Sequence, residues 1–339
     1  MLSFLIVSSE APLDLGLPDL CDARVARDIV RRFAALRARL APEIGRRPLV
    51  LPNGSYFPDR FDGDAASVER LLDRMRGHAG MLDIPVGAAI AEQGAGASPG
   101  GGCGSGACAP PAAANEARLL EEGDGFRVLV SPAEVAHPVA LTTSLARSLG
   151  AVFLVDTREE GEAIAEPFAV TVELTAVALG FGGLLLQGAY VYAKSCGGPS
   201  VTQLTTLGCQ ELAVAVALFA SASGHKLRGL LAELEATQRA ALRQAGELFD
   251  ANPKLVELLL RHPEQLAAGQ FEIEPVRPRL LRWFQRRGSA VDADPSLDEL
   301  ERMAPFAAPK TTERRSPPPA DDLKRLVQEE LEAAEAERA

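Results

Sequence analysis

Histidine is scarce in this chain. Only four occur among 339 residues: His78, His137, His225 and His262. No two stand four apart, so no helix turn presents a pair of imidazoles to one metal ion, which argues against a histidine-rich metal centre. Cysteine offers no even framework either, since five thiols cannot all pair. Basic residues do not predominate. Lys and Arg number 35 against 46 Asp and Glu, a formal net charge of −11, which argues against a general nucleic-acid binder, whose affinity needs clustered cations. A secretory leader is not indicated: the apolar run Leu2–Val7 follows no basic residue, and Glu10 and Asp14 come soon after. That run is expected to be a short buried strand, and the chain a cytoplasmic protein with reduced thiols.

What is present suffices for a core. Apolar residues make up 47% of the sequence and the mean hydropathy is near zero, as in a globular protein of this length. Val25, Ile29, Phe33, Leu36 and Leu40 recur at intervals of three and four and predict an amphipathic helix over Asp22–Leu40, ended by Pro42. Its arginines, among them Arg27, Arg32 and Arg37, read as a solvated face. Pro48–Leu51 reads as a short strand. An aromatic turn, Tyr56-Phe57-Pro58-Asp59, follows. Asp64 is then placed to cap a helix carrying Val68, Leu71, Leu72 and Met75 on one side. Leu82–Ile90 and Phe126–Val130 read as strands. Between them lies the low-complexity stretch Gln93–Ala113, too poor in large apolar groups to order itself.

From Pro138 to about Leu260 the pattern is almost wholly helical. Leu174–Ala193 contains no charged residue and is long enough for a membrane span. Its glycines, Gln187 and the preceding Glu173 favour a buried core helix instead. Lys226–Phe249 reads as one charged amphipathic helix and Pro253–Arg261 as another, with Arg277–Arg287 a further closing helix. Residues 305–320 form a Pro-rich linker and 321–339 a charged terminal helix.

Several of these pieces together carry a resemblance. Phe57-Pro58-Asp59, the helix around Leu145–Leu154, Glu166-Pro167 and Gly180-Phe181-Gly182 resemble a group of uncharacterised bacterial zincin-like proteins, over roughly residues 50–225. In that family the first helix carries His-Glu-x-x-His, two imidazoles on one face with a glutamate that polarises the zinc-bound water. Here the motif falls on Arg147-Ser148-Leu149-Gly150-Ala151. A guanidinium has no lone pair to donate, and Ala151 offers no ligand. The resemblance therefore implies a zincin-like scaffold without its zinc, with Arg147, Ser148 and Ala151 as degenerate motif positions and Glu166 and Glu173 as vestigial acidic residues.

The sequence thus implies an α+β protein, helix-dominated, with a small sheet in the N-terminal half. Residues 1–304 are expected to form one domain with a Gly/Cys loop at 93–115. The expected role is non-catalytic: a pseudo-metallopeptidase-like binding or scaffold protein without cofactor, meeting a protein partner through its C-terminal tail and binding no nucleic acid. Two alternatives stay open. Cys103 and Cys108, spaced C-x₄-C in the glycine loop, are the best chemical pair for thiol redox or soft-metal chemistry, and a hydrolase with unrecognised ligands is the other. His137 is placed in the loop before the helix at Pro138. Cys196, in an expected tight interhelical turn over Lys194–Pro199, has no histidine near it in sequence, and Cys209 reads as a core thiol. Gly182-Gly183 lacks the strand and Lys-Ser/Thr of a phosphate loop.

Overall fold

A computed structural model describes residues 23–40, 47–91, 119–158, 163–195 and 198–274. Contacts divide the chain into Met1–Val276 and Arg277–Ala339, and only the first contains described residues. The expected strand Leu2–Val7, the loop with Cys103 and Cys108, Cys196, the helix at 277–287, the linker and the terminal helix lie outside the described residues.

The described part is α+β. Helix α1 (Ala23–Leu40) buries Ile29, Val30, Phe33 and Leu36 as the periodicity requires. Its arginines are not simply a solvated face. The Arg27 guanidinium donates to the Gly269 carbonyl at 2.8 Å and lies 4.8 Å from the centre of the Phe271 ring. Arg32 reaches both Asp28 and the Glu166 carbonyl, and Arg37 is buried, which pulls its pKa down. Helix α2 (Ala65–Ala79) starts where Asp64 accepts a hydrogen bond from the Ser67 amide at 2.8 Å. It ends at Gly80, whose φ of 64° takes the left-handed cap.

A three-stranded sheet is built from β1 (Val86–Ile90), β2 (Leu119–Glu122) and β3 (Gly125–Val130) in the order β1-β3-β2. Strands β1 and β3 are parallel, with Val86 opposite Phe126, while β2 and β3 form an antiparallel hairpin. The expected strand at Leu82 begins only at Val86. Strand β2 was not foreseen, because Leu119 and Leu120 are its only apolar residues. The Ala88 amide, on the outer edge of β1, donates to the Glu69 carboxylate of α2 at 2.8 Å. That bond closes an edge position to further pairing.

After a single turn, α3 (Pro132–Val135), comes α4 (Pro138–Asp156), packed on α5 (Phe168–Ala176) and α6 (Gly182–Gly188). A π-helical turn, Val177–Phe181, joins α5 to α6, and within it Gly180 has φ of 99°. A Cβ there would stand 2.0 Å from the Pro48 carbonyl oxygen. Only glycine admits both the backbone angle and that approach. Residues 48–51 are therefore not a strand: the Val50 amide bonds the Gly180 carbonyl at 3.0 Å, so these residues seal a helix kink rather than pair in a sheet.

Nor is Leu174–Ala193 one helix. Helix α6 ends at Gly188, and β4 (Val191–Ser195) pairs with β5 (Gly198–Thr202) as a hairpin where an interhelical turn was expected. Tyr192 and Val201, opposite each other, are both exposed, so the alternation of a half-solvated hairpin overrides the apolar run. Two helical stretches, Pro138–Asp156 and Phe168–Gly188, are long and apolar enough to cross a membrane, and their most apolar windows are 67% and 83% buried against the chain.

Helix α7 (Cys209–Ser223) runs through the core, burying every side chain from Leu212 to Ala220. The region expected as one helix over Lys226–Phe249 is two, α8 (Arg228–Glu233) and α9 (Ala236–Ala251). The chain is extended at Leu234, and Gln238 accepts from the Glu235 amide at 3.0 Å to start α9 afresh. Helices α10 (Pro253–Arg261) and α11 (Pro263–Ala267) close the described part, α11 against α1.

Candidate functional site

Two places gather polar chemistry. The first lies where the degenerate motif was read. Helices α4 and α5 approach so closely at Gly150 that a Cβ would stand 2.5 Å from the Val172 carbonyl oxygen. This contact lets Arg147, one turn earlier, meet Glu173, one residue later. Arg147 Nε lies 3.1 Å from Glu173 Oε1, and the two side chains are 6% and 0% exposed. Glu173 is held from its other side as well. Its Oε1 accepts from the Thr206 amide at 2.6 Å and its Oε2 from the Leu207 amide at 2.8 Å. Arg147 Nη1 reaches the Leu204 carbonyl at 3.5 Å. The segment before α7 is thereby bound to both helices. Burial pushes the Glu173 pKa up, while the two amides and the Arg147 charge work against that rise.

The residues around this pair do not fit a zinc ion. Arg147 brings positive charge, Ser148 and Ala151 are buried in helix packing, and both Glu173 oxygens already have partners. Glu166 is not drawn in. It is exposed, and its carboxylate caps the start of α5 by accepting from the Phe168 amide at 2.8 Å. Among the described residues no three His, Cys, Asp or Glu side chains come together as a metal site.

The other candidates disperse. His137 is the residue before α4 and makes no side-chain cap. His225 bonds the Arg47 carbonyl through Nε2 at 2.8 Å. Cys209 opens α7, half-buried, and burial pushes its thiol pKa up, which disfavours the thiolate. Gly182 and Gly183 are buried in α6, against Val216 and Leu230, with no opening to a phosphate.

The second place was not anticipated as a site. The turn after Leu51 folds on Asn53, whose carbonyl accepts from the Tyr56 and Phe57 amides and whose Oδ1 accepts from the Ser55 amide. His78 from α2 sits edge-on to both the Tyr56 and Phe57 rings, with centroids 5.4 and 5.9 Å away, and its Nε2 donates to the Tyr56 carbonyl at 3.0 Å. The turn is thereby fixed to α2, and a cavity of about 410 Å³ opens beside it. Phe57 and Phe61 come from the turn, Leu71 from α2, Val139 from α4 and Leu184 from α6. Asp59 and Arg74 stand in its wall as an ion pair, both Arg74 Nε and Nη2 donating to Asp59 Oδ2, at 3.1 and 2.7 Å. Arg147 and Glu173 do not line this cavity. The signal available in sequence is the aromatic turn Tyr56-Phe57-Pro58-Asp59, which predicts a turn and enters the resemblance but does not by itself mark a cavity.

Comparisons of the chain with protein-family models, with curated proteins and with solved structures gave no match.

Proposed function

We propose that this chain is a non-catalytic binding protein whose helical core is zincin-like and has an ion pair in place of a metal centre. One observation carries the reading. The motif position Arg147 and the acidic position Glu173 meet each other inside the protein, at 3.1 Å and out of solvent. A metal-dependent hydrolase needs lone-pair donors and an open coordination position for water. Here a guanidinium fills that role's place with fixed positive charge, and the carboxylate's remaining acceptor capacity goes to the Thr206 and Leu207 amides. The pair joins α4, α5 and the segment before α7, so its work is to hold a scaffold together.

Metal analysis of purified protein tests this. The expected result is no stoichiometric zinc and a melting temperature that a chelator does not move. Tightly bound zinc that disappears on changing Glu173 to Gln would refute the reading. The alternative that places thiol chemistry on Cys103 and Cys108 is tested in the same preparation, since a metal lost in the Cys103→Ser, Cys108→Ser variant belongs to that loop.

A further inference from the structure

We infer that the cavity between the Asn53 turn, α2, α4 and α6 binds a small amphipathic monocarboxylate, with its apolar body inside and its carboxylate on the arginine rim. The inference rests on the reading of the chain as a binding protein and names the ligand class of that binding.

Size and lining come first. A volume of about 410 Å³ lies in the range of small-molecule sites. The walls are aromatic and aliphatic, with Phe57, Phe61, Leu71, Val139 and Leu184 from four different elements. They do not collapse on one another, because each is carried on a separately anchored segment: His78 holds the turn, Asp64 caps α2, and the Thr143 hydroxyl donates to the Leu184 carbonyl at 3.3 Å, tying α4 to α6.

The polar groups in the wall then restrict the chemistry. Most are already committed within the protein. Asn53 Nδ2 donates to Glu233, Gln187 Nε2 donates to the Glu233 carbonyl, the Ser67 hydroxyl donates to the Asp64 carbonyl, and the Thr142 hydroxyl donates to the Pro138 carbonyl. A sugar or another ligand needing many hydrogen bonds would find few partners. What remains is charged. The lining holds two guanidiniums, Arg60 and Arg74, against the single carboxylate of Asp59. Arg74 donates through Nε and Nη2 to one oxygen of Asp59, and a guanidinium has further N–H donors beyond those two. Arg60 touches Asp62 through Nε and is otherwise in water, its side chain 91% exposed. An anionic head on an apolar body meets the guanidinium excess of the lining as well as the walls; a cationic head has only Asp59, already paired with Arg74, and a neutral head has only the walls.

The test is calorimetric titration of the full-length protein with octanoate, below its micelle threshold, beside octanol and octylammonium. Saturable one-to-one binding of octanoate is expected, stronger than that of either control. Arg74→Met should weaken octanoate by about three- to tenfold and move octanol by less than about twofold, because a charged hydrogen bond is lost while the walls are kept. Thr142→Trp places an indole in the cavity and should weaken octanoate and octanol alike by more than about tenfold. Should that variant unfold, Val139→Trp gives the same block from one turn earlier on α4. No saturable octanoate binding, equal affinity for octanoate and octylammonium, or full binding by a folded indole variant would each overturn the inference. Zinc content of the same preparation separates the two proposals. Zinc-free protein that ignores octanoate removes only the ligand, whereas stoichiometric zinc lost on changing Glu173 removes the non-catalytic reading whatever octanoate does.

Discussion

Two of the protein's arginine–carboxylate pairs have the same chemistry and opposite surroundings. Arg147 and Glu173 are 6% and 0% exposed, and the carboxylate is further held by two backbone amides. Arg74 and Asp59 are 41% and 43% exposed, at 2.7 Å. The shorter pair is the weaker one in its effect on folding. In water a close contact gains little, because solvent competes for both ions and the side chains lose freedom to hold it, so exposed pairs contribute about 0–1 kcal/mol. Inside the protein water cannot take the place of the lost ion, so removal of one leaves a buried charge at a cost of about 3–5 kcal/mol. The buried pair is thus a structural joint, and the exposed one is free to exchange partners with a ligand.

The largest effect expected from this contrast is at Arg147. Arg147→Met should lower unfolding free energy by about 3–5 kcal/mol and the melting temperature by roughly 6–20 °C. Glu173→Gln in the same chain should restore much of that, since the remaining amide oxygen still accepts from residue 206 or 207 while no charge is left unpaired. Urea unfolding of the two single variants and the double variant forms a cycle. Additive losses would mean that the two side chains are not coupled, and the joint would have to be sought elsewhere.

Next comes the close approach that makes the pair possible. A methyl at Gly150 would meet the Val172 carbonyl oxygen at 2.5 Å. Gly150→Ala should therefore cost about 1–3 kcal/mol through overpacking and a shift of α5, although alanine favours helices over glycine. A neutral or stabilising outcome would show that α4 and α5 can separate without loss.

A pH series gives a smaller but more specific signature. Burial raises Glu173 above its ordinary value of 4.5. The folded protein then holds this proton more tightly than the unfolded chain does, so unfolding releases a proton in the window above 4.5. The contribution is fully present below that value and is lost as pH rises through the raised folded pKa. Relative to Glu173→Gln, which cannot titrate, the wild type should lose stability across that window. Melting temperatures of both proteins from acid to neutral pH measure it. Parallel curves would contradict the raised pKa.

These two regions also differ in how far the sequence betrayed them. Helices α1, α2 and α10 were readable because apolar residues repeat on one face and Asp64 or a proline marks an end. Arg147 and Glu173 were both singled out, but for the ligands they fail to supply. Their union depends on Gly150 and on the Thr206 and Leu207 amides, which carry no side-chain signal. The kink at Gly180, the Val191–Thr202 hairpin and the break at Leu234 were missed because hydropathy reports burial and not backbone direction. The cavity was the least legible of all. Its walls come from residue 52 to residue 187, and no spacing rule brings Phe57, Val139 and Leu184 together before the fold does.

The exposed pair supplies the smallest stability effect and the sharpest test of the contrast. Asp59→Asn keeps the size of the side chain and removes its charge. Because Asp59 and Arg74 are both about two-fifths exposed, unfolding free energy should change by less than about 1 kcal/mol. The loss of the carboxylate frees Arg74 Nε and Nη2 from a competing anion, so octanoate should bind about threefold more tightly while octanol stays the same. Stability and affinity should therefore move independently at this pair, whereas at Arg147 any change in charge is felt first as a loss of folding. A loss of several kcal/mol in Asp59→Asn, or weaker octanoate binding, would place the rim pair among the structural joints and erase the difference between the two regions.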